Sequence, residues 1–419
     1  MDLVPNFVGD MVRSVGLSAA MRAAGVVTGL LPIPQPTLLV GPGSSRRLGQ
    51  TIAGFGHRKI LVVTDATVST LGLVDGLTDA LHKGGVPFAV WDSVTADAPI
   101  PLIEQGMKVF RAEGCDAIVA FGGGSVMDAA KTIALAVANR KKPRQLVGYF
   151  RGLREPVALY AVPTTAGTGS EVTVAAVVSE PRTGRKLTIA DTRLVPRMAA
   201  LDPALMTGLP PDVTAATGMD ALTHAIEAFI GQWSTGYTDR MALSAAGLIY
   251  DNLRTACRSG KNLQAREQMA LAAAYAGFAF TRANVGYVHA IAHQLGGRYH
   301  TPHGLANAIV LPHVLRYLLP AVTDRLAMLA IRTRVGKDGE RPAALARKFL
   351  ESVEKLNRDI GIPPQLDALR EADIPELAKA ACWEADTSYP VPRYMSPDEC
   401  AALLREILPK KPRRRKAPQ

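Results

Sequence analysis

The four cysteines, Cys115, Cys257, Cys382 and Cys400, form no CxxC pair and lie far apart. That scatter excludes a disulfide framework and a thiolate-rich zinc site, and it points to buried reduced thiols in a cytoplasmic protein. Also missing is any uninterrupted apolar stretch of the roughly 18 residues that a membrane span requires. The first 33 residues are moderately apolar, but Asp2 and Asp10 stand where a signal peptide carries positive charge, and Arg13 and Arg22 break the run. Residues 1–35 therefore read as a short amphipathic extension that packs on the body of the protein or on a partner subunit. Aromatic residues make up only 5% of the chain, and none interrupts KKPRRRK at 410–416 to offer a base a stacking platform. Without the six charges of that run the formal net charge falls from +11 to +5. Residues 409–419 thus read as a solvated basic tail, with no nucleic-acid partner expected.

What remains is an ordinary globular composition, with 48% hydrophobic and 20% charged residues in a chain of 419. That length suits two domains. From about residue 36, apolar runs alternate with amphipathic stretches. KILVVTD (59–65), VPFAVWD (86–92), CDAIVAFGGG (115–124) and PVALYAVPTT (156–165) read as buried strands, and 72–84 and 101–113 have helical spacing. Such alternation predicts a parallel sheet wrapped by helices, an α/β domain over 36–209. Beyond DPALMTGLPP (202–211) strand-like runs largely vanish. Segments 213–230, 237–259, 264–279, 284–295, 341–359 and 397–408 suit helices, giving an all-α domain over 210–408. Pro210 and Pro211 read as the hinge, and the cleft between the halves as the ligand site.

Directly after a strand stands FGGGSVMDAAK (121–131). Its glycines let a backbone approach a ligand closely, and the helix that follows presents unpaired N–H groups to an anion such as pyrophosphate. The run lacks the GxGxxG spacing, so a tight strand-to-helix turn would explain it equally well. Two neighbours favour the nucleotide. Asp65 ends the first strand, where its carboxylate can accept from a ribose diol and repel a 2′-phosphate, which favours NAD over NADP. PTTAGTGSEVT (163–173) follows another strand with small hydroxyl residues and glycines.

Five of the eight histidines fall between 289 and 313. Asp220 and His224 stand four apart on one face of a predicted helix, and His289 and His293 repeat that spacing in GYVHAIAHQLGG. One carboxylate with three neutral imidazoles suits zinc or ferrous iron. By spacing alone, Asp220, His224, His289, His293, His300 and His303 are six candidates for about four places.

In GGGSVMDAAK, PTTAGTGSEVT, GMDALTHAIE and VHAIAHQLGGRYHTPHGLANAIVLPH, in that order, the chain resembles the iron-containing (group III) alcohol dehydrogenases over roughly 36–408. The resemblance implies an α/β nucleotide-binding domain of the dehydroquinate synthase type and a helical metal-binding domain. It implies an alcohol dehydrogenase or aldehyde reductase moving a hydride between an alcohol and NAD(P), with a metal polarising the substrate oxygen. It assigns the ligands to Asp220, His224, His289 and His303, places His293 beside metal and nicotinamide as a proton relay, and leaves His300 structural. The cofactor positions it matches are Asp65, Gly122, Gly123, Gly124, Ser125, Asp128, Thr164, Thr165, Thr168 and Lys186. A homodimer or larger assembly is implied as well. Gln294 departs from the proline of many members. Rival activities on the same scaffold are a polyol dehydrogenase, a hydroxyacid–oxoacid transhydrogenase and a dehydroquinate synthase-like lyase.

Overall fold

The computed structural model of the chain describes Met21, Gly25 and residues 31–409. Most of the expected N-terminal extension, and the basic run at 410–416, lie outside the described residues.

The first half is built on strands covered from both sides. Ile60–Val63 (β2) is buried at all four positions, as are Ala117–Gly122 (β4) and Ala158–Pro163 (β6) at all six. Continuous apolar runs of this kind suit inner strands of a parallel sheet. With Thr37–Val40 (β1), Phe88–Trp91 (β3) and Met198–Leu201 (β9) they form a six-stranded sheet of order β1-β9-β6-β4-β2-β3. Every pairing in it is parallel. Two apolar cores lie against it: one contains Leu61, Val63 and Ile118, the other Ile60, Val62 and Val119, so successive side chains of one strand face opposite layers. A smaller sheet of Gly148–Tyr149 (β5), Arg185–Ala190 (β8) and Ala175–Glu180 (β7) stands apart, with β7 antiparallel to β8.

The second half is helical. Pro210 and Pro211 occupy the N-cap and first turn of Pro211–Ile230 (α6), where a proline's missing N–H has no intrahelical partner to lose. Fifteen residues of α6 are buried, so it is the central helix of the half rather than a surface one. Against it pack Gly236–Arg258 (α7), Leu263–Ala283 (α8) and, beyond Tyr287–Tyr299 (α9), His303–Arg332 (α10); Pro342–Asp359 (α11) packs on α10, Ile374–Ser388 (α12) on α9, and Pro397–Glu406 (α13) on α12. Each large apolar side chain fully buried there contributes about 1.5–3 kcal/mol. Helix α10 is long and apolar enough to cross a bilayer, but most of its apolar stretch is buried within the protein. It carries Pro312 and Pro320 and kinks at Val322.

The described residues of the extension lie on this helical half. Trp233 Nε1 donates to Met21 O at 2.7 Å, Arg282 to Ile33 O at 2.9 Å, and Gln35 to the Tyr237 hydroxyl at 2.7 Å.

Candidate metal centre and nucleotide cleft

The facing ends of the two halves carry the residues singled out above. On the α/β side, Gly123 caps and Gly124 opens the helix Gly124–Asn139 (α5), directly after β4. The loop after β6 lies on this turn. A Cβ at Gly124 would come within 2.7 Å of Thr168 Cγ2, and one at Gly123 within 3.6 Å of Thr165 Oγ1, so the two expected nucleotide segments are packed together. Gly169, at φ +60°, turns the loop towards α8, where a Cβ would meet Ala273 O at 2.6 Å; only glycine suits both demands.

The loop is pinned from below by a buried lysine. Lys131 Nζ donates to Thr173 O (2.8 Å), Thr173 Oγ1 (3.0 Å) and Ala175 O (2.9 Å), and burial lowers its pKa to about 8. Asp128, expected at the cofactor, accepts from Ser170 Oγ at 3.0 Å and Val177 N at 3.1 Å, so within the protein its carboxylate tethers the same loop. Asp65 N-caps the helix Ala66–Thr70 (α2), accepting from Val68 N at 3.0 Å. Lys186, on β8, pairs with Asp97 at 2.8 Å, and the Asp97 N–H donates to Ser125 Oγ at 3.1 Å. Asp97 thus joins two expected cofactor residues. It was missed in the sequence because nothing in its neighbourhood marks it, and it sits at a left-handed φ of 63° with Ala98 following at 42°.

On the helical side, Asp220 and His224 lie one turn apart on α6, His289 is on the first turn of α9, and His303 opens α10. Ligand atoms of Asp220, His224 and His289 fall within 4.8 Å of one another, all buried. His303 Nε2 is 3.5 Å and His289 Nε2 3.8 Å from Asp220 Oδ1. The His224 ring stacks between Phe280, at 4.1 Å, and His289, at 4.5 Å. His293 stacks on His303 at 5.3 Å. His300 takes the left-handed C-cap position of α9, at φ 54°.

The donor set fits a cation. Asn307, one turn after His303, places Nδ2 2.7 Å from Asp220 Oδ1 and 3.2 Å from both His289 Nε2 and His303 Nε2. An amide nitrogen has two hydrogens and cannot satisfy three acceptors, whereas a divalent cation answers converging lone pairs. Burial, above all, holds His224, His289 and His303 below the ordinary imidazole pKa, keeping them in the neutral form that a metal needs.

Glu227 orients His289. Its Oε2 accepts from His289 Nδ1 at 2.5 Å and from Gly286 N at 2.9 Å, and its Oε1 from Val288 N at 2.7 Å. The proton on Nδ1 leaves Nε2 as the inward lone pair. Burial pushes the Glu227 carboxyl up to about 8, against the pull of those backbone donors. Glu227 stands three residues after His224 in GMDALTHAIE, so helical spacing could have found it.

The model for iron-containing alcohol dehydrogenase matches residues 35–203, and that for the C-terminal part of the Fe-containing alcohol dehydrogenase family matches 214–408. The chain belongs to the iron-containing alcohol dehydrogenase family, whose members are oxidoreductases acting on CH–OH with a nicotinamide cofactor and a divalent metal. It is 41% identical over 371 residues to a 1,3-propanediol dehydrogenase of Klebsiella pneumoniae, covering 87% of this chain and 95% of that protein. It is 36% identical over 375 residues to an NAD-dependent methanol dehydrogenase of Bacillus methanolicus, covering 89% and 98%. A crystal structure of a 1,3-propanediol oxidoreductase superposes with a TM-score of 0.87 at 39% identity, covering 90% of this chain and all of that one.

Proposed function

We propose that Asp220, His224, His289 and His303 hold one ferrous or zinc ion in a dehydrogenase of small alcohols that works with NAD(H). The carrying observation is the convergence of Asp220 Oδ1, His289 Nε2 and His303 Nε2 on one point, occupied here by the Asn307 amide. A bound divalent cation supplies Lewis acidity that polarises the substrate oxygen and makes an alcohol a stronger acid. The relatives named for 1,3-propanediol and methanol support an alcohol of one to three carbons.

The protein's own residues do the rest. A nucleotide's pyrophosphate would be held by backbone N–H groups of Gly122, at the end of β4, and of Gly123, Gly124 and Ser125, at the start of α5, together with Thr164, Thr165, Thr168 and Lys186. Asp128 acts at one remove, by holding the threonine loop. The Asp65 carboxylate accepts from the ribose diol and selects NAD over NADP. His293 takes the proton of the alcohol, and a bound nicotinamide would supply the hydride acceptor. The division at 209/210 separates the nucleotide-binding and metal-binding domains. A cytoplasmic homodimer or larger assembly completes the reading, the location supported by four buried cysteines without a disulfide among the described residues.

The test is a panel of short alcohols and aldehydes with NAD(H) and NADP(H), using metal-stripped enzyme reloaded separately with iron and zinc. Turnover should return with one or both metals and be fastest with NAD(H). Undiminished turnover by the stripped enzyme would refute the metal assignment.

A further inference from the structure

His293 is not held by the metal cluster alone. Its Nδ1 lies 2.6 Å from Glu384 Oε1, across the gap between α9 and α12. The same carboxylate is gripped by two more donors. The Tyr389 hydroxyl donates to Oε1 at 2.6 Å, and Gln294 Nε2 to Oε2 at 2.7 Å. Gln294 is itself anchored one turn back, on Ala290 O at 3.2 Å. Burial alone would raise the pKa of Glu384, but His293, Tyr389 and Gln294 outweigh it and hold the carboxyl below its ordinary value. The group is therefore a fixed, ionised acceptor.

We infer that Glu384 is the positioning residue for His293, with Gln294 and Tyr389 as the braces that aim it. The inference rests on the proton-transfer role proposed for His293. An ionised carboxylate has only lone pairs to offer, so the ring nitrogen facing it must carry the hydrogen. That places the proton on Nδ1 and the lone pair on Nε2, the nitrogen left to meet a substrate hydroxyl. A ring resting only on its stack with His303 could turn about χ2 and present either nitrogen; two short contacts on one carboxylate oxygen remove that freedom. Gln294 is the neighbour of His293 in the motif, but Glu384 and Tyr389 stand about 90 or more residues away, which is why the motif gives no hint of the carboxylate they share.

The chemistry adds no co-reactant. The alcohol O–H bond breaks and its proton goes to Nε2 of His293, the C–H electron pair goes to the nicotinamide as hydride, and Glu384 keeps its charge throughout.

The experiment compares Glu384→Gln, Glu384→Asp, Gln294→Leu, Tyr389→Phe, His293→Ala and the double variant His293→Ala/Glu384→Gln as metal-loaded full-length enzymes. Glu384→Gln should lower kcat by about 10–100-fold, with bound metal, KM for the cofactor and thermal midpoint near those of the parent. Glu384→Asp should recover part of the loss. Gln294→Leu and Tyr389→Phe should each lose several-fold. The double variant should be no slower than His293→Ala, as expected for residues acting as one unit. Losses that multiply in the double variant, or an unchanged kcat in Glu384→Gln, would overturn the inference while leaving a slow His293→Ala in support of the role of His293. A drop in kcat that tracks lost metal would overturn it too, since Glu384 would then serve the metal site. If His293→Ala itself turns over normally, the role proposed for His293 fails and this inference with it.

Discussion

At the metal end of the site, four candidate ligands are side chains drawn from the starts and middles of three helices. At the nucleotide end, the loops around Gly124 and Gly169 present mainly backbone and small hydroxyls. The first arrangement concentrates its chemistry in a few atoms, each oriented by a further partner such as Glu227. The second spreads its contacts over many weak donors whose placement depends on how closely two loops approach. Single substitutions should therefore act steeply at the metal end and gradually at the nucleotide end, and either end should be able to fail while the other keeps its ligand.

The largest effect is expected from Asp220→Ala or His289→Ala. Either should strip the metal and lower activity about 1000-fold, or about 4 kcal/mol of barrier, while the dissociation constant for NAD stays within about two-fold. Metal analysis and calorimetric titration of the nucleotide measure the two halves separately. Loss of nucleotide binding alongside the metal would break the proposed independence.

Next comes Glu227→Ala, which leaves Gly286 N, Val288 N and His289 Nδ1 without their shared acceptor. Metal affinity should fall by about 10–100-fold, and stability by about 1–3 kcal/mol for stranded buried donors. A competition assay with a chelator and a denaturant melt check the two numbers.

Acid should act on the same end. His224, His289 and His303 have folded-state pKa values below the ordinary imidazole value of about 6.5. Depressed values mean that what they contribute to stability is complete above about pH 6.5 and is lost as pH falls through that value towards the folded pKa values. Metal binding needs the same neutral rings, and burial keeps them neutral well below pH 6.5, so metal retention should persist there and decline only as pH approaches the depressed folded-state values, about 3 for His303. Metal retention is the cleaner readout, because Glu227, raised to about 8, contributes stability of the opposite sense that is lost as pH rises. A loss of metal already complete near pH 6.5 would contradict a set of buried, neutral ligand rings.

A gentler effect is expected at the nucleotide end. Gly124→Ala puts a methyl 2.7 Å from Thr168 Cγ2, so one of the two loops must yield. KM for the cofactor should rise by about ten-fold, worth about 1.4 kcal/mol, with metal content unchanged. Adding Thr168→Ser removes the clashing methyl and should restore most of the affinity. If it does not, the defect lies in the turn itself and not in the loop approach.

The same contrast governs what the sequence made legible. Inner strands β2, β4 and β6 announce themselves as continuous apolar runs. The edge strand β1, and β9 beside it, are four residues each and look like any short apolar stretch. In the small sheet β5-β8-β7, β7 alternates half-buried and buried positions, but its sequence AAVVSE carries no matching apolar–polar alternation, and β8 buries only its last two residues. Helix α10 escaped because Pro312 and Pro320 break the pattern that a 30-residue helix would show, and α12 because its buried face mixes Ile374 and Leu377 with three alanines, Cys382 and Asp386. At the site, spacing brought Asp220, His224 and His289 together but could not rank His293 and His300 against His303. The stack of His293 on His303, and the C-cap position of His300, are facts of tertiary packing. Glu384 was invisible for the same reason: 91 residues separate it from the histidine it touches.

The smallest effect concerns a residue with two roles. Asp65 caps α2 through Val68 N, and its charge is the proposed barrier to a 2′-phosphate. Replacing it with glycine or alanine would confuse the two, since loss of a helix cap costs about 1 kcal/mol. Asp65→Ser separates them, because a serine hydroxyl caps nearly as well but carries no charge. The thermal midpoint should hold to within a few degrees, and the ratio of kcat/KM for NADP to that for NAD should rise several-fold. An unchanged ratio with an unchanged midpoint would mean that Asp65 is a helix cap and nothing more. The nucleotide end would then choose its cofactor by backbone shape alone, and its contrast with the metal end would be sharper still.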